Sequence, residues 1–462
     1  MSIIDKLKKF IGMEEEDKDL VTLLTEGSIE KAKGKFSTRT AMIDKCLEQW
    51  NTEDHEITSK QSRKLVKGDL LHSWNLPIAY QRKIVSMAVA FLYGAPIKLK
   101  QQSKGTDKAF ALLQDLRDDM RMDAKNQECA TLQMSETECA KLFVEYRDSD
   151  ADPTDTTKFN SVKCILLARS KGDIIHVSFD SFGVLRAVGR EYKVRYNNKD
   201  IEHFDVYTAE TNFFCNRQSG RWEVEPKINL IGKIPIVVRQ QKESESHIVE
   251  PLIKRREYLT SARADVNTRS GDPILVLEGD RVGDLPDAEK TAKVVHLKNG
   301  SKAYYLVPQM SVDMVKDEKE DLKELIHYIT DTPDLSMDKM MSSGLKSGKA
   351  IEMAFFGSTL KSKSKHGYEA EMIDRENEIL KAFIYKVIDT SLEGEVKKLK
   401  VTVEFGNPLP DNMEDFVNIL SVATGSKPIM SRKTAVELNP MIKDADAENK
   451  LIDTEEMSIP IE

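Results

Sequence analysis

The chain has 462 residues, 32% of them charged, and a formal net charge of -8 at pH 7. This length predicts two or more structural units with a large core. The negative charge argues against a protein that coats nucleic acid, because phosphate-binding proteins are usually basic. The longest apolar run, residues 84–97, is interrupted by Ser86 and Gly94. It is shorter than the ~20 residues that span a bilayer, so no membrane partner is predicted.

Cysteine and histidine usage predicts neither a metal site nor another cofactor. The five cysteines are odd in number and form no C-x-x-C pair, which favours reduced thiols in a cytosol. They are Cys46, Cys129, Cys139, Cys164 and Cys215. His176, His203 and His296 fall in separate stretches without ligand spacing, so structural roles are expected. No Ser-His-Asp set or carboxylate pair has supporting spacing, and the chain is predicted not to be an enzyme.

The first 74 residues read as a helical arm. Residues 3–11 alternate apolar and lysine positions, and an acidic run, residues 14–17, follows. This pattern fits a membrane-surface helix or an amphipathic arm that docks on its own protein. The second is favoured, because the acidic run is unsuited to a membrane and no cleavage site is present. Residues 21–75 read as polar helices.

A buried helix is predicted within residues 75–97, ended by Gly94 and Pro96, and helical patterning continues to about Tyr146. Residues 148–155 then turn the chain. Their spaced aspartates are typical of the start of a calcium loop. Pro153 stands where that loop needs glycine, and Phe159 where it needs glutamate, so a solvated turn is the better interpretation.

From Phe159 to Gln241 the apolar period changes to two, which predicts an antiparallel meander of about six strands. A charged helix follows from near Val249 and ends at residues 271–273. Apolar runs at 274–277, 293–298 and 304–307 then predict a small β module. Its hairpin would join the last two runs through Asn299-Gly300.

A second charged helix begins with a Ser311 cap and stops at Thr332-Pro333. Its apolar stripe is sparse: Val315, Leu322, Leu325, Ile326 and Ile329. A Met-rich loop follows at residues 334–345. Helical spacing then resumes over 347–391, about 65 Å at 1.5 Å per residue, with kinks expected at Gly357 and 363–367. So long a helix with few apolar positions in its first half is expected to pack against copies of itself.

The rest of the chain predicts a strand at 398–405 that rejoins the earlier sheet, and then short helices at 411–424, 431–437 and 444–456. One motif suggests a phosphate loop: residues 344–350, ending Gly-Lys-Ala. The G-x-x-x-x-G-K-[ST] motif needs one more residue and a hydroxyl where Ala350 stands. Nucleotide binding is therefore disfavoured, and a mobile loop with glycine hinges is the preferred interpretation.

The chain contains a charged helix, a loop, the sequence Ser-Gly-Lys-Ala-Ile and a long helix, in that order. In this order it resembles the portal proteins of tailed bacteriophages, particularly those like the SPP1 portal. The Gly-x-Pro-Ile that ends the early core helix resembles the same family. The resemblance implies an α+β portal-type fold assembled as a ring, with a mixed helical and antiparallel-β wing. Its parts would be an N-terminal arm 1–74, wing 75–245, stem helices 246–272 and 311–331, clip 273–310, tunnel loop 332–346, spine helix and wing strand 347–410, and helical crown 411–462.

The resemblance further implies a dodecameric ring at one capsid vertex of the virion, assembled in the host bacterial cytoplasm. Double-stranded DNA would enter through its channel during packaging and later exit. Expected partners are the terminase large subunit, head-completion or adaptor proteins, the major capsid protein and scaffolding protein.

Three groups of residues are the candidate sites under this resemblance. The tunnel loop would present Met340, Met341, Ser343, Gly344, Lys346 and Lys349 to the channel. Lys316, Lys319 and Lys323 are candidate channel-lining residues of the stem. The clip would dock terminase and adaptors through Lys298, Asn299, Gly300, Tyr304 and Tyr305. Two alternatives stay open: a nucleic-acid-processing enzyme subunit, and a non-portal phage structural or scaffolding protein, which the mid-chain sheet disfavours.

Overall fold

The structure is a computed structural model in which two compact units are distinguished. The first comprises residues 1–334 with 357–406, and the second residues 335–356 with 407–462. The residues described are 19–59, 63–64, 70–71, 73–147, 160–196, 198–218, 220–270, 274–279, 281–282, 296–297, 300, 302–306, 312–334, 353–406, 413–425, 428–439, 441–442 and 444–457.

The described part of the first unit begins with short polar helices, as the sequence predicts. They are α1 (Leu20–Thr25), α2 (Ile29–Lys33) and α3 (Thr40–Trp50), and 3-10 turns follow at Thr52–Asp54 and Glu56–Ser59. A short antiparallel pair then joins β1 (Arg63–Lys64) to β2 (Leu70–Leu71). The polar composition of this stretch gives no strand signal, and the pair is an addition to the predicted helices.

The buried early helix is confirmed as α4 (Tyr80–Tyr93). It ends where predicted, since the Gly94 N–H bonds the Ala90 carbonyl and Pro96 follows. Beyond it lie β3 (Lys98–Gln101), α5 (Asp107–Asp119) and α6 (Met122–Glu136).

The prediction that helix continues to Tyr146 is wrong. Helix α6 ends at Glu136, because Thr137 takes a left-handed φ of 70°. Strand β4 (Glu138–Arg147) follows and lies at the centre of a three-stranded sheet. The sequence of β4 does not show the alternation of apolar and polar residues that marks a strand, because Glu138 and Lys141 are charged yet buried.

Two sheets, and not one meander, occupy the region of period-two patterning. The five-stranded sheet runs β6 (Ile174–Phe179), β7 (Leu185–Tyr196), β8 (Lys199–Tyr207), β9 (Thr211–Gln218) and β10 (Arg221–Ile228), each antiparallel to the next. The three-stranded sheet places β4 between β5 (Asn160–Leu167) and β11 (Ile236–Gln240). Between residues 159 and 241 seven described strands, β5 to β11, therefore replace the six expected. Apolar side chains of both sheets form one shared core, including Leu142, Leu167, Ile175, Val188 and Ile236.

The first charged helix is confirmed as α7 (Glu250–Ser270) and the second as α8 (Val312–Ile329). Between them lie β12 (Ile274–Glu278), β13 (Arg281–Val282), β14 (His296–Leu297) and β15 (Lys302–Leu306). The predicted hairpin partner is wrong. Strand β15 pairs with β12, and β14 with β13, so two antiparallel pairs replace a β14–β15 hairpin. The five residues of β15 pair in register with all five of β12, whereas β14 has only two residues to offer. The predicted Ser311 cap lies outside the described residues.

The long helix is confirmed in part as α9 (Phe356–Phe383), which a π-helical turn (Ile384–Ile388) extends. It spans about 42 Å at 1.5 Å per residue and runs without interruption through the predicted kink at residues 363–367. It ends before residue 391 because the Asp389 carboxylate accepts from the Ser391 N–H and opens a new turn. Residues 347–352, where the sequence predicts its start, lie outside the described residues.

The second half of α9 forms the centre of the largest apolar core of this unit. Met372, Ile379, Leu380 and Phe383 are buried there against α5. After α10 (Glu393–Lys398), β16 (Val401–Glu404) pairs with β3 and not with the earlier sheet, so that prediction is wrong. The register pairs Leu99 with Val403, a contact that local sequence cannot reveal.

The described part of the second unit is helical, as predicted. It contains α11 (Met413–Thr424), α12 (Arg432–Leu438) and α13 (Ala445–Met457). Ser431 caps α12, since its hydroxyl accepts from the Thr434 N–H at 3.1 Å. The Met-rich loop and the phosphate-loop-like motif lie outside the described residues. In the described parts of both units, no helix has the length and apolar content needed to cross a bilayer.

Candidate functional site

The helices α7 and α8 form the charged pair on which the site predictions depend. They meet through a small apolar cluster in which Ile253 of α7 and Ile326 of α8 are fully buried. Ile84 of α4 and Val249 complete the cluster. The pair is therefore fixed to the body of the first unit at the end of α8 that contains Ile326.

Away from this cluster the contacts between the two helices are polar. The Arg255 Nε donates to Glu318 Oε1 at 2.8 Å. The Arg256 guanidinium donates to the Lys319 carbonyl and lies over the Tyr80 ring, 5.5 Å from its centroid. The Arg255–Glu318 ion pair therefore links the two helices, but both side chains are partly exposed, so it adds little to their stability.

Contacts from the preceding chain hold α7 along its length. The carboxylate of Glu257 is buried, with His55 Nδ1 and the Ile78 N–H each 2.7 Å from its Oε1. Further along, the Trp74 N–H donates to Asp265 Oδ1 at 2.6 Å. These bonds occupy the side of α7 that faces the unit and fix its direction.

The three candidate channel lysines of α8 have different surroundings. Lys316 is exposed. Lys319 is half-buried, and burial lowers its pKa, helped by the nearby Arg263 and Arg256 guanidinium groups. Lys323 is committed to an ion pair, with its Nζ 2.6 Å from Asp334 Oδ2. Of the three, Lys316 has the side chain most available to a polyanion.

Helix α8 leaves apolar side chains uncovered within the chain. Leu322 and Ile326 of its predicted stripe are buried, whereas Leu325 and Ile329 are 45% and 40% exposed. Tyr328 is 82% exposed. Residues 325, 328 and 329 have i, i+3, i+4 spacing, so they form one apolar face, which is called the α8 face below. Contiguous exposed apolar groups of this kind mark interaction surfaces.

The predicted clip residues are described only in part. Gly300 is exposed with a φ of 90°, a left-handed conformation that favours glycine. The exposed Tyr304 hydroxyl donates to Glu278 Oε1 at 2.8 Å, linking β15 to β12. Lys298, Asn299 and the Tyr305 side chain lie outside the described residues. So do all of the predicted tunnel-loop residues: Met340, Met341, Ser343, Gly344, Lys346 and Lys349.

A buried ionic cluster lies beneath α9, and sequence reasoning missed it. The Glu376 carboxylate is fully buried, with Lys141 Nζ at 2.7 Å and Arg239 Nη2 at 2.8 Å from its Oε1. Arg239 also pairs with Glu369, whose Oε2 accepts from the Tyr93 hydroxyl at 2.5 Å. The cluster joins α9 to both β4 and β11. The sequence signal that could have indicated this cluster is Arg239, a charged residue directly after the apolar residues of β11.

Electrostatics keep the centre of this cluster ionised. Burial alone would raise the pKa of Glu376, but the cations of Lys141, Arg239 and Arg117 outweigh it and lower that pKa to about 2. Nearby, burial raises the pKa of Tyr93 well above its ordinary value. The cluster thus acts as a set of fixed charges that attach the long helix to the sheet.

The described residues contain no group of three or more His, Cys, Asp or Glu side chains that could hold a metal ion. His176 bonds Glu191 Oε2 at 2.9 Å, and His203 stacks on Tyr192 with ring centroids 4.9 Å apart, so both are structural, as expected. All five cysteines are buried and free, and the Sγ atoms of Cys129 and Cys139 lie 2.7 Å apart.

A charged helix pair flanks a small β module and a long core helix follows, which is the order of elements that the resemblance to portal proteins predicts. A family model supplies the sequence evidence for that class of protein. Residues 53–459 match the family described as "Phage portal protein, SPP1 Gp6-like", and the chain belongs to that family.

Solved structures give a weaker likeness. The neck of an empty gene transfer agent (GTA) particle, computed with C6 symmetry, is 10% identical, with a TM-score of 0.41 over 77% of this chain and 88% of that one. The neck of the native GTA particle, computed with C12 symmetry, is 11% identical, with a TM-score of 0.39 over 78% and 88%. The virion of the native particle gives 10% identity and the same TM-score and coverage. The comparison with curated proteins gives no match.

Proposed function

We propose that the chain assembles into a dodecameric ring at one capsid vertex of a phage particle and forms the channel through which DNA is packaged and released. Membership in the portal family carries this proposal, because the family match covers α4 to α13 and includes the helix pair, the β module and the long helix. The family is structural, and the proposed role needs positioning and passage of DNA rather than a chemical step.

The α8 face supports self-assembly. Its three side chains are large, apolar and 40–82% exposed, which is unusual for a helix as charged as α8. In a ring each copy offers this face to a neighbour, so the surface left open in one chain is covered by the next. The expected packing of the long helix against copies of itself stays a prediction, and the α8 face is a second surface for contact between copies.

The charge distribution supports passage of DNA without tight binding. The chain is acidic overall, and the exposed Lys316 is surrounded by carboxylates of the same helix. A ring of such isolated lysines offers brief phosphate contacts without the dense positive surface that holds DNA in place. In this proposal Lys346 and Lys349 of the tunnel loop act in the same way, and Lys323 chiefly stabilises the stem through its ion pair with Asp334.

The proposed partners follow the parts of the fold. The β12–β15 module, with Gly300 and Tyr304 at its surface, would dock the terminase large subunit during packaging and adaptor proteins afterwards. The two-sheet region would contact the major capsid and scaffolding proteins. Assembly would take place in the host cytoplasm, and the ring would remain in the virion.

Native mass spectrometry of the purified chain tests the assembly. A ring of twelve 52.4 kDa chains has a mass of about 630 kDa. A single species of that mass supports the proposal, and a closed ring of another number corrects only the stoichiometry. A dimer, or an open series of masses rising by one chain, contradicts it.

A further inference from the structure

Two of the five buried cysteines lie in direct contact, and the proposed function gives this pair no role. Cys129 lies in α6 and Cys139 in β4, and both are 0% exposed. Their Sγ atoms are 2.7 Å apart, closer than two unbonded sulfur atoms normally come. Because a disulfide bond is ~2.05 Å long, the two atoms need to approach by only about 0.7 Å. The other three cysteines have no hydrogen-bonded sulfur partner among the described residues.

The contacts around this cysteine pair hold α6 and β4 together on both sides of the sulfur atoms. The left-handed Thr137 ends α6 and leads directly into β4. The Cys139 Sγ donates to the Cys129 carbonyl at 3.2 Å. Three positions before Cys129, the Asn126 Oδ1 accepts from Lys141, which lies two positions after Cys139. The two elements are thus already fixed to each other, and a bond between the sulfur atoms needs little movement of the backbone.

Electrostatics distinguish the two thiols. Burial opposes ionisation of Cys129, but the hydrogen bond from Cys139 outweighs it together with the nearby cations, so the pKa of Cys129 is lowered. Those cations are Arg239 and Lys141. Arg239 lies opposite Cys139 in the β4–β11 pairing, so the two side chains project from the same face of the sheet. Burial and the adjacent Cys129 raise the pKa of Cys139 well above its ordinary value. Cys129 is therefore the better nucleophile of the two.

We propose that Cys129 and Cys139 form a reversible redox pair that hydrogen peroxide converts into a disulfide. The Cys129 sulfur attacks one peroxide oxygen, the O–O bond breaks, and the departing hydroxide takes up the thiol proton as water, which leaves a sulfenic acid. The Cys139 sulfur then attacks the Cys129 sulfur, and its proton leaves with the displaced hydroxide as a second water. The two thiols lose two electrons, which reduce one peroxide to two waters. Hydrogen peroxide is neutral and close to water in size, so brief local openings of the fold admit it.

The disulfide would strengthen the attachment of the long helix to the sheet. Lys141, two positions from Cys139, is one of the cations that hold Glu376 of α9. A covalent link between α6 and β4 beside this contact restricts the unfolded chain and fixes the strand that contains Lys141. The oxidised protein is therefore expected to melt a few degrees higher than the reduced protein. This inference does not rest on the portal function.

Tryptic mass spectrometry of the full chain detects the disulfide directly, because both cysteines lie in one peptide, residues 126–141. The reduced, folded protein is treated with hydrogen peroxide, alkylated during unfolding and digested. Peptide 126–141 should lose two hydrogen atoms and take up no alkyl group, and dithiothreitol should restore both thiols. The number of alkylated cysteines should fall from five to three.

Serine variants separate this reaction from general oxidation of the protein. Cys215→Ser is the matched control, because Cys215 is also 0% exposed but is not part of the pair, and its four remaining thiols should fall to two. Cys129→Ser removes the nucleophile, so its four thiols should survive the same treatment. Cys139→Ser should stop at the sulfenic acid on Cys129, which dimedone traps. Neither variant should show the rise in melting temperature.

Three results would overturn the proposal. The first is a folded wild-type protein that keeps both thiols of peptide 126–141 in peroxide that oxidises them in denaturant. The second is a peptide that gains oxygen atoms without forming the link. The third is a Cys129→Ser protein that loses its thiols as fast as the wild type, since this would remove Cys129 from the reaction.

Discussion

The buried ionic cluster gives the sharpest test of how this fold is held together. Replacing Glu376 by glutamine keeps the volume of the side chain but removes the charge that Lys141 and Arg239 face. All three side chains are 0% exposed, so water cannot compensate the two cations. The Glu369 carboxylate would remain as the one anion beside Arg239.

Two routes give a similar size for the effect. The pKa of Glu376 is about 2 in the fold against an ordinary 4.5, which corresponds to about 3 kcal/mol at ~1.4 kcal/mol per pKa unit. Removing one partner of a buried ion pair typically costs about 3–5 kcal/mol. We therefore expect Glu376→Gln to lower the free energy of unfolding by about 3 kcal/mol.

Urea unfolding at pH 7, followed by circular dichroism at one fixed protein concentration, measures this change. Glu371→Gln is the matched control, because Glu371 lies on the same helix and pairs with Arg375 where both side chains are more than half exposed. Its loss should cost under about 0.5 kcal/mol. The reasoning is refuted if Glu376→Gln unfolds within 1 kcal/mol of the wild type, on the order of a surface pair.

Three further predictions follow from the same contacts. Because the pKa of Glu376 is depressed in the fold, its stabilising effect is complete above pH 4.5 and is lost as pH falls toward 2. The difference in unfolding free energy between wild type and Glu376→Gln, measured by urea titration, should therefore close over that window. A constant difference would contradict the depressed pKa of Glu376. Leu325→Asp on the α8 face should abolish the assembled ring in sedimentation velocity, while the melting temperature stays within a few degrees. Ile228→Asp is the control, because Ile228 is 80% exposed on β10 and its replacement should leave assembly intact. An assembled Leu325→Asp protein would exclude the α8 face from the interface. The five buried thiols should react with Ellman's reagent only in denaturant, and rapid labelling of the native protein would show that the core opens.

Local signals predicted the helices well. The Gly94 and Pro96 break, the residues after Ser270 and the Ser431 cap each lie at a helix boundary of the structure. These signals work because they act through backbone geometry and hydrogen bonds within a few residues. Apolar period likewise predicted antiparallel strands between residues 159 and 241, but not their division into two sheets.

What the sequence could not predict depends on contacts between distant residues. Local sequence gives no sign that Lys141 is buried in a strand, because its partner Glu376 lies 235 positions away. The pairing of β16 with β3 and of β15 with β12 is non-local in the same way. The candidate stem lysines were predicted together as channel-lining residues, and only their neighbours, such as Asp334 beside Lys323, distinguish them.

The central claim is that this portal-family chain forms a ring around a channel for DNA, and electron microscopy of the purified protein viewed end-on tests it most directly. The account predicts closed rings with a central hole wide enough for a DNA duplex, and loss of those rings in Leu325→Asp. Filaments, or compact dimers without a hole, would contradict it.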